Sequence, residues 1–293
     1  MRPAPRPGRR LLPLPVLRLG ALRMSLPVLD ERLRGTRFFE QPVRSIINPP
    51  ESTGMRFWSI NPYVGCEFGC TYCYARFAHR YVVERARDAG KVGEAEFNDL
   101  RGARGWEAFE RRIFVKRKAD VLSALERDLP RVRRRAATER QSIAIGTATD
   151  PYQPAERTFR ITRAVLERFG GERGFGIGII SKGTLVRRDA SLLVELSKRH
   201  ELTVHVSLIT VDEEIVRLTE ARSPMPHARL RALRHLVQAG VNAGLIVAPV
   251  LPGITDTPEQ IRELLLRAKD AGARFAGPVP LRLYPAVREP FLP

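Results

Sequence analysis

Downstream of residue 142 the sequence switches between two periodicities four times over, and no other feature limits the fold as strongly. SIAIGT (142–147), GIGIIS (176–181), TVHVSL (203–208) and AGLIVAPV (243–250) read as short apolar strands. Each is followed by apolar residues at helical spacing, over 158–169, 191–199, 227–239 and 258–271. Alternating units of this length call for parallel strands joined by right-handed crossovers. Trp58, Ile60 and Tyr63 add an earlier strand and 281–284 a last one, making six. Six are too few to close an eight-stranded barrel. The expected fold is α/β, a partial (β/α)6 TIM-like barrel of parallel strands with an N-terminal extension, and ligands in such sheets bind at the carboxyl ends of the strands.

One such domain accounts for 58–293 of the 293 residues. Ahead of it, 25–57 carries turn signals at Asn48, Pro49, Pro50 and Gly54 and is expected to be an irregular lead-in. Residues 1–24 hold six arginines, five prolines and no acid, the composition of a disordered basic tail. Pro13, Pro15, Arg18 and Arg23 interrupt the apolar run that a signal peptide needs. The apolar stretch 239–254 is broken by Asn242, Pro249 and Pro252 and cannot span a bilayer, so no membrane partner is expected. Within the domain, 75–87 and 119–129 read as helices, 113–115 as a strand, and the polar segment 88–106 as an insertion. RVRRR at 131–135 is either a solvated helix end or a phosphate-binding patch.

All three cysteines fall in NPYVGCEFGCTYCYARF (61–77). Cys66, Cys70 and Cys73 form CxxxCxxC, with Gly65 and Gly69 freeing the backbone to curl around one centre and Tyr72 and Tyr74 flanking the last thiol. Soft thiolates select iron-sulfur clusters, zinc or cuprous copper. A closed zinc site wants four ligands, and His79, six residues after Cys73, matches no zinc spacing. With no fourth cysteine, an iron-sulfur cluster here keeps one iron open for chemistry. The motif resembles that of the radical S-adenosylmethionine superfamily. The resemblance implies a 4Fe-4S cluster on the three cysteines, S-adenosylmethionine on the open iron, and an electron donor such as flavodoxin or ferredoxin. Three cysteines committed to one site leave none for disulfides, so a cytoplasmic setting is expected.

The strand ends supply further candidates. After the second strand, Asp150 and Glu156 lie in GTATDPYQPAE: they are acid and base or cofactor ligands, or else a turn residue and a helix cap. Lys182 and Ser207 end the next two strands, where a cation and a hydroxyl suit a carboxylate and a ribose. Arg229 follows the proline-interrupted TEARSPMPHAR and is either a fork for a carboxylate or a surface helix residue. In order, TDPYQPAE, SKGTLVRRD, a strand ending in SL, TEARSPMPHARL and AGVNAGLIVAPVLPGITD resemble the spore photoproduct lyase-like branch of that superfamily over about 58–283. The resemblance implies cofactor contacts from Lys182 and Ser207, with Tyr72, Thr149, Asp150 and Arg229 close by. It departs at Thr147 and Ala148, where that lyase has a hydrogen-donating cysteine; Tyr152 is the nearest substitute.

The formal charge of +18 favours a polyanionic partner and admits nucleic acid as the substrate of a lyase-like repair or modification reaction. It equally admits a nucleic-acid-binding protein in which an iron-sulfur or zinc site is only structural. GFGIG (174–178) lacks the spacing of a dinucleotide loop, and no GxSxG elbow or GxxxxGK[ST] phosphate loop occurs.

Overall fold

A computed structural model describes residues 28–32, 35–101, 107–139, 142–283, 287–288 and 291–292. The basic tail of 1–24 lies outside them. Eleven strands occur among the described residues: β1 (Val28–Arg32), β2 (Thr36–Gln41), β3 (Ile47–Asn48), β4 (Trp58–Ile60), β5 (Tyr63–Val64), β6 (Arg112–Lys116), β7 (Ile143–Ile145), β8 (Gly176–Ser181), β9 (Glu201–Ser207), β10 (Ala243–Val250) and β11 (Ala276–Pro280). The larger sheet has the order β11-β10-β9-β8-β7-β4-β3. Its six strands from β4 to β11 run parallel in sequential order, and β3 closes one edge antiparallel to β4. The fold is therefore α/β with a mostly parallel sheet.

Three expectations need correction. The strand read through Trp58, Ile60 and Tyr63 is two elements: β4 joins the large sheet, while β5 pairs antiparallel with β6 in a second sheet of order β1-β2-β6-β5. The lead-in is not irregular, because β2 pairs in parallel with β6, from Arg37 opposite Arg112 to Gln41 opposite Lys116. Residues 281–283 form no strand and 284 lies outside the described residues, among which the last strand is β11. Its Pro278 and Pro280 lack amides, which an edge strand tolerates.

On the helix side of the large sheet, Ile177, Ile179, Val204 and Val206 bury into one core with Leu193, Leu196, Leu233 and Leu236 of the crossover helices. The alternate residues Gly178, Ile180, Thr203, His205 and Ile246 are only half-buried, so the inner face of the sheet is reachable from solvent. A helix expected over 158–169 is broken into Ala155–Phe159 and Ile161–Phe169 by Arg160, which has φ 54°. The break is set by Glu156, whose carboxylate accepts the amides of Thr162 and Arg163 at 2.9 and 3.1 Å and so caps the second helix. The segment 88–106 contains the helix Glu94–Arg101, which lays Phe97 and Leu100 over the small sheet.

RVRRR is part of the long helix Lys118–Glu139. Val132 enters the core, Arg133 pairs with Glu172 at 3.2 Å, and Arg135 pairs with Glu51 while lying 5.2 Å from the Trp58 ring centre. These contacts tie one face of the helix to its neighbours, while Arg131, Arg133 and Arg134 remain exposed.

Lys116, at the end of β6, is 9% exposed, and burial lowers its pKa from 10.5 to about 8. Between the folded value and an unfolded value near about 10.4, the unfolded chain binds the extra proton, so stability rises with pH across that window by roughly 3 kcal/mol. Lys116→Met is expected to flatten this rise, as measured by urea unfolding from pH 7 to pH values above the window.

Candidate metal and cofactor site

The cysteine loop leaves β5 through Gly65, at φ 89°, and turns again at Gly69, at φ 63°. At Gly65 a Cβ would sit 2.7 Å from the Phe109 carbonyl oxygen and 3.2 Å from that of Arg112. The amide of Cys66 donates to that Phe109 oxygen at 3.0 Å, so the close approach is part of how the loop is anchored. Gly65→Ala, strained in conformation and contact alike, is expected to lose most of its iron during reconstitution and to cost about 1–3 kcal/mol of stability, measured by iron analysis and thermal melting.

A second anchor comes from the segment after β7. Thr149 donates from Oγ1 to the Gly65 carbonyl at 2.6 Å. Gln153, fully buried, donates to the same carbonyl at 3.2 Å and to Thr149 at 3.0 Å, and its Oε1 accepts the Glu67 amide at 2.9 Å. Asn61 ties the end of β4 to β7 by accepting the Ala148 amide at 2.7 Å. On the far side, the Thr71 amide donates to the Thr219 carbonyl at 2.9 Å, and Arg76 bridges the Cys70 carbonyl, at 3.2 Å, to Glu110, at 2.9 Å.

Cys66 and Cys70 are buried and Cys73 is half-buried, in a shell that includes Phe68, Tyr72, Phe109, Ile209 and Leu251. Burial raises all three thiols, that of Cys70 to about 12, so binding an iron-sulfur group here releases protons. Three soft donors in an apolar shell, on a loop held at both ends, fit such a cluster. Among the described residues no group of three or more His, Cys, Asp or Glu is arranged to hold a single metal ion. His79 is not a fourth ligand. It is fully buried, its Nε2 lies 3.0 Å from the Arg112 carbonyl, its ring packs on Phe109 and Phe114, and burial lowers its pKa to about 4.

The other predicted residues divide by position. Lys182 and Ser207 meet at the carboxyl ends of β8 and β9, with Nζ donating to Oγ at 3.2 Å. Lys182 Nζ also lies 5.5 Å from the Tyr72 ring centre and 3.8 Å from Glu220. Burial is the largest influence and works against the ammonium, but Glu220 together with Cys70 and Cys73 outweighs it and holds the Lys182 pKa above its ordinary value. Asp150 is committed to the chain: it accepts the Ser181 hydroxyl at 2.7 Å and the amides of Tyr152 and Lys182 at 2.8 and 2.7 Å. Burial nevertheless raises its pKa. Glu156 is the helix cap described above and also accepts from Tyr63 at 2.5 Å. Arg229 is not a surface residue. It is 0% exposed, and its guanidinium donates to Glu220, Ser223, the Ser207 carbonyl at 3.0 Å and the Pro224 carbonyl at 2.6 Å. Tyr152 is buried in the main core, 1% exposed.

Glu220 was not a candidate from sequence, yet it is the hub. It is 1% exposed, accepts from Tyr72, Ser223 and Arg229, and lies beside Lys182. Burial pushes its pKa up, and Arg229 and Lys182 more than reverse this, so the carboxylate stays ionised. The one available signal was Arg229 itself, which occupies the apolar stripe of its helix with Ala232, Leu233 and Leu236 and therefore needs a buried acid.

A mostly parallel α/β sheet with a three-cysteine loop over its carboxyl edge defines a class: iron-sulfur proteins with a ligand site beside the cluster. Residues 60–268 match the profile of the Radical SAM superfamily, and the chain belongs to that family. The family uses a 4Fe-4S cluster and S-adenosylmethionine. An uncharacterized protein of Mycobacterium tuberculosis is 33% identical over 259 residues, covering 87% of this chain and 67% of its own length. An uncharacterized protein of Methanocaldococcus jannaschii is 25% identical over 217 residues, 74% of this chain and 69% of its own length. Among solved structures, a variant of spore photoproduct lyase matches with a TM-score of 0.58 at 13% identity over 87% of this chain. Another, with AdoMet and a dinucleoside spore photoproduct bound, matches at 0.52 and 16% over 80%. The chain spans 66% and 60% of those two proteins, and at such identities the likeness is one of fold. No helix among the described residues is long and apolar enough to cross a membrane.

Proposed function

We propose that this protein is an enzyme that reductively cleaves S-adenosylmethionine at a 4Fe-4S cluster held by Cys66, Cys70 and Cys73, on a parallel sheet curled into a partial (β/α)6 barrel. The observation that supports this best is the juxtaposition of the cysteine loop with Lys182 and Ser207 through Tyr72 and Glu220. When bound, the cluster and cofactor supply an electron transfer that yields methionine and a 5′-deoxyadenosyl radical able to take a hydrogen atom from a substrate.

The chain's own residues bind and orient. Lys182, an ammonium on a buried stem, holds the cofactor carboxylate, and Ser207 Oγ beside it offers a hydrogen bond to the same group or to the ribose. Thr149 and Gln153 fix the Gly65 carbonyl, and with it the start of the cysteine loop. Asp150 fixes the end of β8, so it aims Lys182 without touching the ligand. Arg229 acts from behind, through Glu220 and the Ser207 carbonyl. A small acidic electron carrier, flavodoxin or ferredoxin, delivers the electron, and the enzyme works in the cytoplasm.

The substrate class we favour is nucleic acid, in a repair or modification reaction akin to that of the lyases whose fold it shares. The +18 charge supports this. With Cys 3 in the whole sequence and all three in the loop, no thiol remains to return a hydrogen atom to a product radical, so the reaction closes by a route other than that cysteine. Anaerobic reconstitution followed by dithionite and S-adenosylmethionine is expected to give cluster absorption and 5′-deoxyadenosine. Steeply salt-dependent nucleic-acid binding with a bound metal but no deoxyadenosine would instead identify a binding protein with a structural site. Deuterium carried from a labelled oligonucleotide into deoxyadenosine would establish the substrate.

A further inference from the structure

Tyr72 stands between Cys70 and Cys73, so its ring is carried by the loop that the thiols anchor. Its hydroxyl donates to Oε1 of Glu220, a residue 148 positions away. The opposite oxygen, Oε2, accepts from the Arg229 guanidinium and from Ser223 Oγ, the latter at 2.9 Å. Arg229 passes the contact on to the Ser207 carbonyl at 3.0 Å, and Lys182 closes the circuit at 3.8 Å from Oε1 and 3.2 Å from Ser207 Oγ. One carboxylate therefore touches the cysteine loop, the lysine at the end of β8 and the arginine that holds the end of β9.

The charges in this circuit are unequal. A single anion faces two cations, and Arg229 takes it by direct hydrogen bonding while Lys182 stands beyond hydrogen-bond reach. Of the two cations Lys182 is the more accessible, its side chain 15% exposed against 0% for Arg229, with Asp150 also within electrostatic reach of it. An anionic group arriving at the strand ends meets that ammonium first. Glu220 is itself no ligand, since it is 1% exposed with both oxygens engaged.

We propose that Glu220 is a positioning residue: through Tyr72 it locks the cysteine loop to Lys182, so that the ammonium stands where the carboxylate of S-adenosylmethionine must sit and the two halves of the site move as one body. This rests on the cofactor reading given above. It goes beyond that reading in making cofactor affinity depend on a residue that touches neither cofactor.

A double-mutant cycle on the reconstituted full chain tests it. Tyr72→Phe keeps the buried ring and leaves Glu220 paired with Arg229, so iron content is expected to match the wild type, with the melting temperature lowered only by the lost hydrogen bond to the carboxylate. S-adenosylmethionine affinity is expected to fall about tenfold, and the change in the reduced cluster's electron paramagnetic resonance spectrum on adding the cofactor is expected to shrink. In a Lys182→Ala background the same substitution is expected to cost less than about twofold, because the group it positions is gone. Glu220→Gln keeps the shape but removes the charge from Arg229 as well as from Lys182, so its effect on affinity is read together with its melting temperature. Equal losses with and without Lys182, or no loss with it present, overturn the proposal and leave Glu220 a structural residue. A wild-type chain that holds its cluster yet binds no S-adenosylmethionine overturns the cofactor reading and this inference with it, and the unsubstituted control tells the two failures apart.

Discussion

Cys70→Ala is expected to abolish cluster assembly, with iron, sulfide and deoxyadenosine all at background after anaerobic reconstitution. The loss should exceed the roughly 10–100-fold that removing an outer partner of a metal site costs. Cys70 is the thiol least able to be replaced by solvent: it is 6% exposed, and its backbone carbonyl accepts from Arg76 at 3.2 Å, so the loop cannot shift to bring in another donor. His79 offers no rescue, being held against Arg112, Phe109 and Phe114. A Cys70→Ala chain that retained full iron would show that the three thiols do not act as one ligand set.

Arg229→Met should give the largest loss of stability of any substitution behind the site, about 3–5 kcal/mol by denaturant unfolding. Removing the guanidinium takes away the strongest influence that keeps the buried Glu220 ionised, so the carboxyl must either stay charged without its partner or take up a proton, and it strands the Ser207 and Pro224 carbonyls as well. Replacing both partners, as in Glu220→Leu with Arg229→Met, is expected to cost much less than the sum of the single changes, because neither charge is then left alone. Additive costs would mean that the pair is not coupled in the way its geometry implies.

What the sequence made legible follows from how local each signal is. The bounds of β8 and β10 could be read residue for residue, since GIGIIS and AGLIVAPV are short apolar runs bracketed by turn residues. The three-cysteine loop was equally plain, because its ligands lie within eight positions. By contrast, TRFFEQ is held between the neighbouring β1 and β6, and its pairing with β6, far along the chain, is announced by no local pattern. β11 was misplaced because AGPVP has the composition of a turn, and only its edge position makes its prolines harmless. Asp150 and Glu156 could be either ligands or scaffolding from spacing alone. What separates these roles is where each carboxylate's partners lie, and the hydrogen bonds to Ser181, Lys182, Thr162 and Arg163 engage both with the chain. Glu220 was hidden for a related reason: an acid in a polar segment looks solvated until Tyr72, Lys182 and Arg229 converge on it.

The half-buried inner face of β8, β9 and β10 has a bearing on size. A closed eight-stranded barrel fills its interior with its own side chains and admits partners only through the loops at its rim. Here Gly178, Ile180, Thr203, His205 and Ile246 are only half-buried, so that side of the sheet is not filled by the chain's own side chains. Geometry of this kind sets no upper limit on the length of a molecule that presents one unit to the strand ends while the remainder trails away into solvent. On the reading proposed above, a polymer would be engaged in mid-chain, and selection would rest on which unit reaches the cofactor at the strand ends instead of on whether the whole molecule fits inside.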